Sequence, residues 1–105
     1  MDKPTEKLWR TITHFFITKD FQSNYLGYEF TKACIRYVIE KDFEIDTIGE
    51  VYAKVAEEKQ ANLSSVERCI RTFIDKSWQQ LGLFNKRPTN HNFIARCAEI
   101  IALEM

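Results

Sequence analysis

Apolar residues recur along most of this chain at the three-and-four spacing of amphipathic helices. Leu8, Trp9, Ile12, Phe15 and Phe16 share the face of a first helix that opens at Pro4-Thr5 and fades around Lys19-Asp20. After the polar stretch Gln22-Ser23-Asn24 a second face is formed by Leu26, Phe30, Ala33, Cys34, Tyr37 and Val38, with Gly27 near the helix start, where glycine is best tolerated. Residues 40–46 are acidic and lack a period, so they read as a connection. Thr47 followed by Glu50 is a capping-box pattern, and the helix it opens carries Ile48, Val51, Tyr52, Val55 and Ala56 on one side. Lys59-Gln60-Ala61 reads as a short turn, after which Asn62 is the expected N-cap of a fourth helix, with Ser64 and Glu67 offering a competing cap.

At about 100° per residue, the fourth helix places Val66, Ile70, Phe73, Ile74, Trp78 and Leu81 in one arc. Ser64, Ser65, Arg68, Arg71, Thr72 and Asp75 fall opposite. Gly82 is the expected C-terminal cap. A loop through Asn85-Lys86-Arg87-Pro88 leads to a last helix capped by Thr89 or Asn90, with Phe93, Ile94, Cys97 and Ile101 inward. The pattern predicts an all-α compact bundle of about five to six helices. With 105 residues it is expected to be a single domain, 1–105.

Composition agrees, because three Gly and two Pro are too few for the turns of a β-sandwich or barrel. Fifteen basic and fifteen acidic side chains cancel, but unevenly along the chain. Residues 40–60 carry a net −4 and residues 61–96 a net +4, so the fourth helix and the loop after it are where an anionic partner is expected. Cys34, Cys69 and Cys97 are odd in number and scattered, which reads as reduced thiols of a cytoplasmic protein. The first residues lack a signal-peptide layout, and no apolar run approaches the roughly 18 residues of a membrane span.

Two helices joined by a tight turn, the second with a polar and basic outer face, match a helix-turn-helix over about residues 47–81. The small Ala56 suits a close helix crossing. Lys59 and Gln60 depart from the motif, standing where an apolar residue and a glycine are common. A helical bundle with a solvated polar face fits the same spacing equally well.

The segment SSVERCIRTFIDKSW at residues 64–78, RPTNHNFIA at residues 87–95 and Gly27-Tyr28 resemble the C-terminal DNA-binding domain of the master response regulator of endospore formation in Bacillus and Clostridium. That family carries Ser-Arg-Val-Glu-Arg-Ala-Ile-Arg in its reading helix and Lys-Pro-Thr-Asn-Ser-Glu-Phe-Ile-Ala before its last helix. The resemblance runs from about Ile12 to Leu103. It implies an all-helical fold with a helix-turn-helix that binds short promoter boxes in double-stranded DNA as a tandem dimer, with RNA polymerase or a related regulator as protein partner. It places Glu67, Arg68 and Arg71 among base-contacting side chains. Ser65 stands in place of a family Arg and Thr72 in place of a family His, so part of the readout is altered. Arg87 matches the Lys ahead of the Pro-Thr-Asn turn and is expected to reach a phosphate, as are Ser64, Lys86 and Asn90. The loop between Trp78 and Arg87 is shorter than in the family. The family's receiver domain is missing, and the start at Met1 favours a free-standing relative over an excised domain.

Enzyme readings find little support. His14 and His91 are far apart and belong to no metal-ligand or nucleophile motif. Three scattered glycines cannot build a phosphate loop. The acids of residues 40–46 alternate with apolar residues, as in a solvated connection, and the cysteines lie on or beside apolar faces as small hydrophobes do. No catalytic residue, metal site or cofactor is expected. The reading that follows is a sequence-specific transcriptional regulator. The alternative is an interaction module that pairs with a full-length regulator or with transcription machinery, which the neutral net charge and the changes at Ser65 and Thr72 would suit.

Overall fold

The computed structural model describes residues 4–23 and 26–105; Asn24 of the polar stretch and the chain start at Met1 lie outside the described residues. Among those described, five helices follow one another without a strand: α1 (Pro4–Thr18), α2 (Leu26–Glu40), α3 (Ile48–Lys59), α4 (Leu63–Leu81) and α5 (Asn90–Leu103). The expected all-α bundle is what forms.

Local chemistry sets most of the helix ends. Thr47 caps α3 by accepting from the Glu50 amide at 3.2 Å, and Thr89 caps α5 by accepting from the Asn92 amide at 3.0 Å. Three helices stop in one way, a pair of reversed bonds that satisfies their last carbonyls. The amides of Phe21, Phe43 and Ala61 donate to the carbonyls of Phe16, Val38 and Ala56, while those of Asp20, Asp42 and Gln60 donate to Ile17, Ile39 and Glu57. This geometry puts Asp20, Asp42 and Gln60 in the left-handed region, at φ of 58°, 54° and 53°. Aspartate tolerates that region through local hydrogen bonding, but glutamine has no such compensation. Gln60→Gly is therefore expected to stabilise the fold by about 1 kcal/mol, the relief of left-handed strain less the added entropy of the unfolded chain. Chemical denaturation measures it, and an unchanged or lower midpoint would refute it.

Helix α2 is the central element and packs against all four others. For that reason it buries more than a single stripe: Gly27, Tyr28, Thr31, Lys32 and Ile35 join Phe30, Ala33, Cys34 and Val38, while Leu26, expected on the apolar face, is exposed at the helix start and Tyr37 is half-buried. Buried Lys32 holds its ammonium 4.4 Å from the centre of the Trp9 ring and 5.3 Å from that of Tyr28, with Glu29 at 3.5 Å. Lys59 also lies over Trp9, at 5.6 Å. The motif departure at Lys59 thus keeps a packing role, because the cation faces an indole where an apolar side chain is usual.

Phe73 of α4 sits in the aromatic centre. It stacks on Phe16 at 5.8 Å and meets Phe21, Tyr28 and Phe93 edge-on at 5.6, 6.0 and 6.4 Å. One expectation for α4 changes: Trp78 is only partly buried, and Ser77 is fully buried. Ser77 lies four residues from both Phe73 and Leu81, in the middle of the inward arc, which leaves Trp78 on its flank.

Cys34 and Cys97 are buried, Cys69 is half-buried, and all three are free thiols. Burial pushes the Cys34 and Cys97 thiols far above their ordinary 9.0. It also raises the Tyr28 and Tyr52 hydroxyls above 10.0. The folded protein keeps these protons where the unfolded chain releases them, so stability is full below the unfolded values and falls as pH rises past them. Unfolding free energy is expected to be insensitive to these groups up to about pH 9 and then to lose about 1.4 kcal/mol per pH unit for each of the two thiols. Thermal unfolding against pH measures this, and a melting temperature unchanged up to about pH 11 would refute it.

Candidate nucleic-acid interface

The turn between α3 and α4 consists of Gln60, Ala61 and Asn62. Gln60 reverses the chain with its left-handed backbone. Asn62 then caps α4, its Oδ1 accepting from the amides of Ser64 and Ser65 at 2.9 and 3.3 Å. Ser64 and Glu67, the competing cap, are not used. The Ser64 hydroxyl instead donates to the same Asn62 oxygen at 2.5 Å. The tight connection sets α4 against α3 with Val66, Ile70, Phe73 and Ile74 buried.

The opposite face of α4 is open. Ser64, Glu67, Arg68, Arg71, Thr72 and Asp75 are exposed, and Ser65 is half-buried beside them. Arg71 faces Glu67 one turn away at 3.7 Å, both side chains more than half exposed. Such a pair is weak and leaves the guanidinium free to rearrange. Among the described residues no ion pair engages Arg68, Lys76 or Lys86. Beside Arg68 a shallow hollow of about 170 Å³ is lined by Leu26, Gly27, Arg68, Cys69 and Thr72. Leu26, which opens α2, is 63% exposed there.

The remaining expected contacts lie where the last loop enters α5. Lys86 is exposed and Asn90 half-buried. Arg87 is held within the fold. Its Nε donates to Asp75 Oδ1 at 2.7 Å, its Nη1 to the Pro88 carbonyl at 2.6 Å, and its Nη2 to the Arg71 carbonyl at 3.3 Å and to Asn90 Oδ1 at 3.1 Å. Below them Tyr52 of α3 is only 5% exposed, and its hydroxyl has no hydrogen-bond partner. Burial raises its pKa, while the nearby Asn90 amide lowers it without closing a hydrogen bond, and the charges of Glu67 and Arg71 also reach it. The structure therefore gathers the two sequence-distant groups, α4 and the start of α5, onto one face.

Three participants escaped the sequence reading: Asp75 as the anchor of Arg87, the Tyr52 hydroxyl beneath Asn90, and Leu26 beside Arg68. Asp75 was visible on the polar arc with Arg71, but its partner lies twelve residues further on. His91, at the start of α5, is exposed. Among the described residues no three His, Cys, Asp or Glu side chains come together as metal ligands would. No described helix is long and apolar enough to cross a membrane.

A family model described as sporulation initiation factor Spo0A C terminal matches residues 12–101. No curated protein matches the chain.

Proposed function

Because this chain belongs to the family of Spo0A C-terminal domains, DNA-binding effectors of sporulation, we propose that it is a sequence-specific transcriptional regulator that reads the major groove with α4. The observation that carries the reading is the exposed strip of Glu67, Arg68, Arg71 and Thr72 on a helix whose opposite face is wholly buried. Arg68 and Arg71 are the base readers, since a guanidinium donates bidentately to the O6 and N7 of guanine. Glu67 accepts from a cytosine amine or holds Arg71 in place. Thr72 at one end of this strip and Ser65 beside it contact bases at its edges. Leu26 and the hollow next to Thr72 offer an apolar surface to a thymine methyl.

Affinity comes from the phosphates. Ser64 at the start of α4, Lys86 and Asn90 are the contacts, helped by the positive ends of α4 and α5. Arg87 contributes through the loop it holds. The protein acts in the cytoplasm without catalysis, binding as a pair of copies on DNA alongside RNA polymerase or a related regulator.

Selection of bound duplexes from a random pool tests this reading. A recurrent motif with guanines opposite the arginines is the expected result. The logarithm of affinity for that motif is expected to fall with that of salt by about 0.9 per neutralised phosphate, over roughly three to five phosphates. No enrichment, or binding indifferent to salt, would hand the chain to the alternative of a protein-interaction module.

A further inference from the structure

Arg87 makes four side-chain hydrogen bonds, and its partners belong to both halves of the interface. The Asp75 carboxylate and the Arg71 carbonyl belong to α4, on the open face that carries the readers. Asn90 is the first residue of α5, and the Pro88 carbonyl lies in the strand of loop that enters it. A planar fork of five fixed donors serves four acceptors in different directions, which a single ammonium cannot do. Its side chain is 30% exposed and that of Asp75 53%, so the pair sits at the surface and adds little to stability on its own. What it fixes is position, because the loop between Leu81 and Asn90 has no regular structure to set where α5 begins relative to α4.

We propose that Arg87 is a positioning residue for DNA binding: anchored by Asp75, it clasps the start of α5 to the reading helix so that the Asn90 end meets the backbone while α4 lies in the groove. This rests on the reading of α4 as the DNA-facing helix. It differs from a direct phosphate contact in the sign of one effect. If the Arg87 guanidinium were destined for a phosphate, Asp75 would compete for it, and removing Asp75 would strengthen binding. If Arg87 is a clasp, removing Asp75 loosens the interface, although an acid has been taken away from a polyanion's docking face.

The experiment measures binding of the whole chain to a labelled mixed-sequence duplex of about 20 base pairs, two helical turns, over a range of salt. It is run well below the unfolding temperature, with helix content checked by circular dichroism. Asp75→Ala and Arg87→Ala are each expected to weaken binding about fivefold, with the salt slope of Asp75→Ala unchanged. In the Arg87→Ala background the Asp75 substitution is expected to cause no further loss. Arg87→Lys, which keeps the charge and loses the fork, is expected to behave like Arg87→Ala. Asp75→Asn carries the same contrast if Asp75→Ala is not folded at the assay temperature. Tighter binding with a steeper slope in Asp75→Ala, unchanged affinity in that variant, or full rescue by Arg87→Lys would each overturn the clasp. Absence of binding by the unsubstituted chain would overturn the DNA reading along with it.

Discussion

Gly27→Ala is expected to destabilise the protein by about 3 kcal/mol or more and to lower its melting temperature by about 15 °C. Helix propensity alone argues the other way, since alanine is favoured over glycine within a helix by about 1 kcal/mol. Packing decides the sign. A methyl group at Gly27 would stand 2.1 Å from the Cys69 carbonyl oxygen and 2.8 Å from Phe73 Cβ. Both belong to the fixed part of α4 rather than to the end of a flexible side chain, so α2 and α4 must part. That separation opens the aromatic cluster around Phe73 and tilts the face that carries Arg68 and Thr72. Gly49, near the start of α3, is the control. A methyl group there meets only the Thr47 hydroxyl oxygen at 3.6 Å, so Gly49→Ala is expected to be neutral or stabilising by up to about 1 kcal/mol. Equal melting temperatures for the two variants would show that the close crossing of α2 and α4 does not exist in solution.

The contrast between these glycines also marks how far the sequence could be read. The helices were legible because Val66, Ile70, Phe73 and Ile74, or Phe93, Ile94, Cys97 and Ile101, state a period that burial then uses. Caps were legible at Asn62, Gly82 and Thr89, whose side chains or backbone freedom act within a few residues of themselves. Gly27 was seen only as tolerable at a helix start, because the carbonyl that demands it lies more than forty residues away. Trp78 is expected inward on hydropathy, but angular position gives the middle of the arc to Ser77. Lys32 was unreadable for a related reason: its cation is housed by Trp9 and Tyr28, two residues from different helices. On the candidate interface, the exposure of Ser64, Arg68, Arg71, Thr72 and Asp75 was legible, whereas Ser65 is half-buried and the exposed Glu67 lay outside the arc that the period picks out. The commitment of Arg87 was not legible, since two of its four acceptors, the Asp75 carboxylate and the Arg71 carbonyl, lie on α4 and reach it only through the packing of α4 against the start of α5.

That same packing sharpens what the arginines of α4 should do when removed. Arg71→Ala deletes a guanidinium whose ion pair with Glu67 is solvated on both sides, but it leaves in place the Arg71 backbone carbonyl that accepts from Arg87. Arg68→Ala deletes an exposed side chain at the rim of the Leu26 hollow and touches nothing in the core. Neither change is expected to move the melting temperature beyond the range of ordinary surface substitutions, about 0.5 kcal/mol. Binding is expected to respond differently. The two residues are three apart on one helix, so their side chains are neighbours and reach successive bases. Loss of a bidentate guanine contact removes roughly 1–3 kcal/mol of discrimination at a single base position, about ten- to two-hundredfold. Competition binding against a selected site and its point variants, beside thermal unfolding, measures both quantities. The expected signature is a preference lost at one position for Arg68→Ala and at an adjacent one for Arg71→Ala, with melting unchanged. If either variant instead weakens every duplex alike, its arginine faces the phosphates. The register of α4 in the groove would then differ from the one its exposed strip implies.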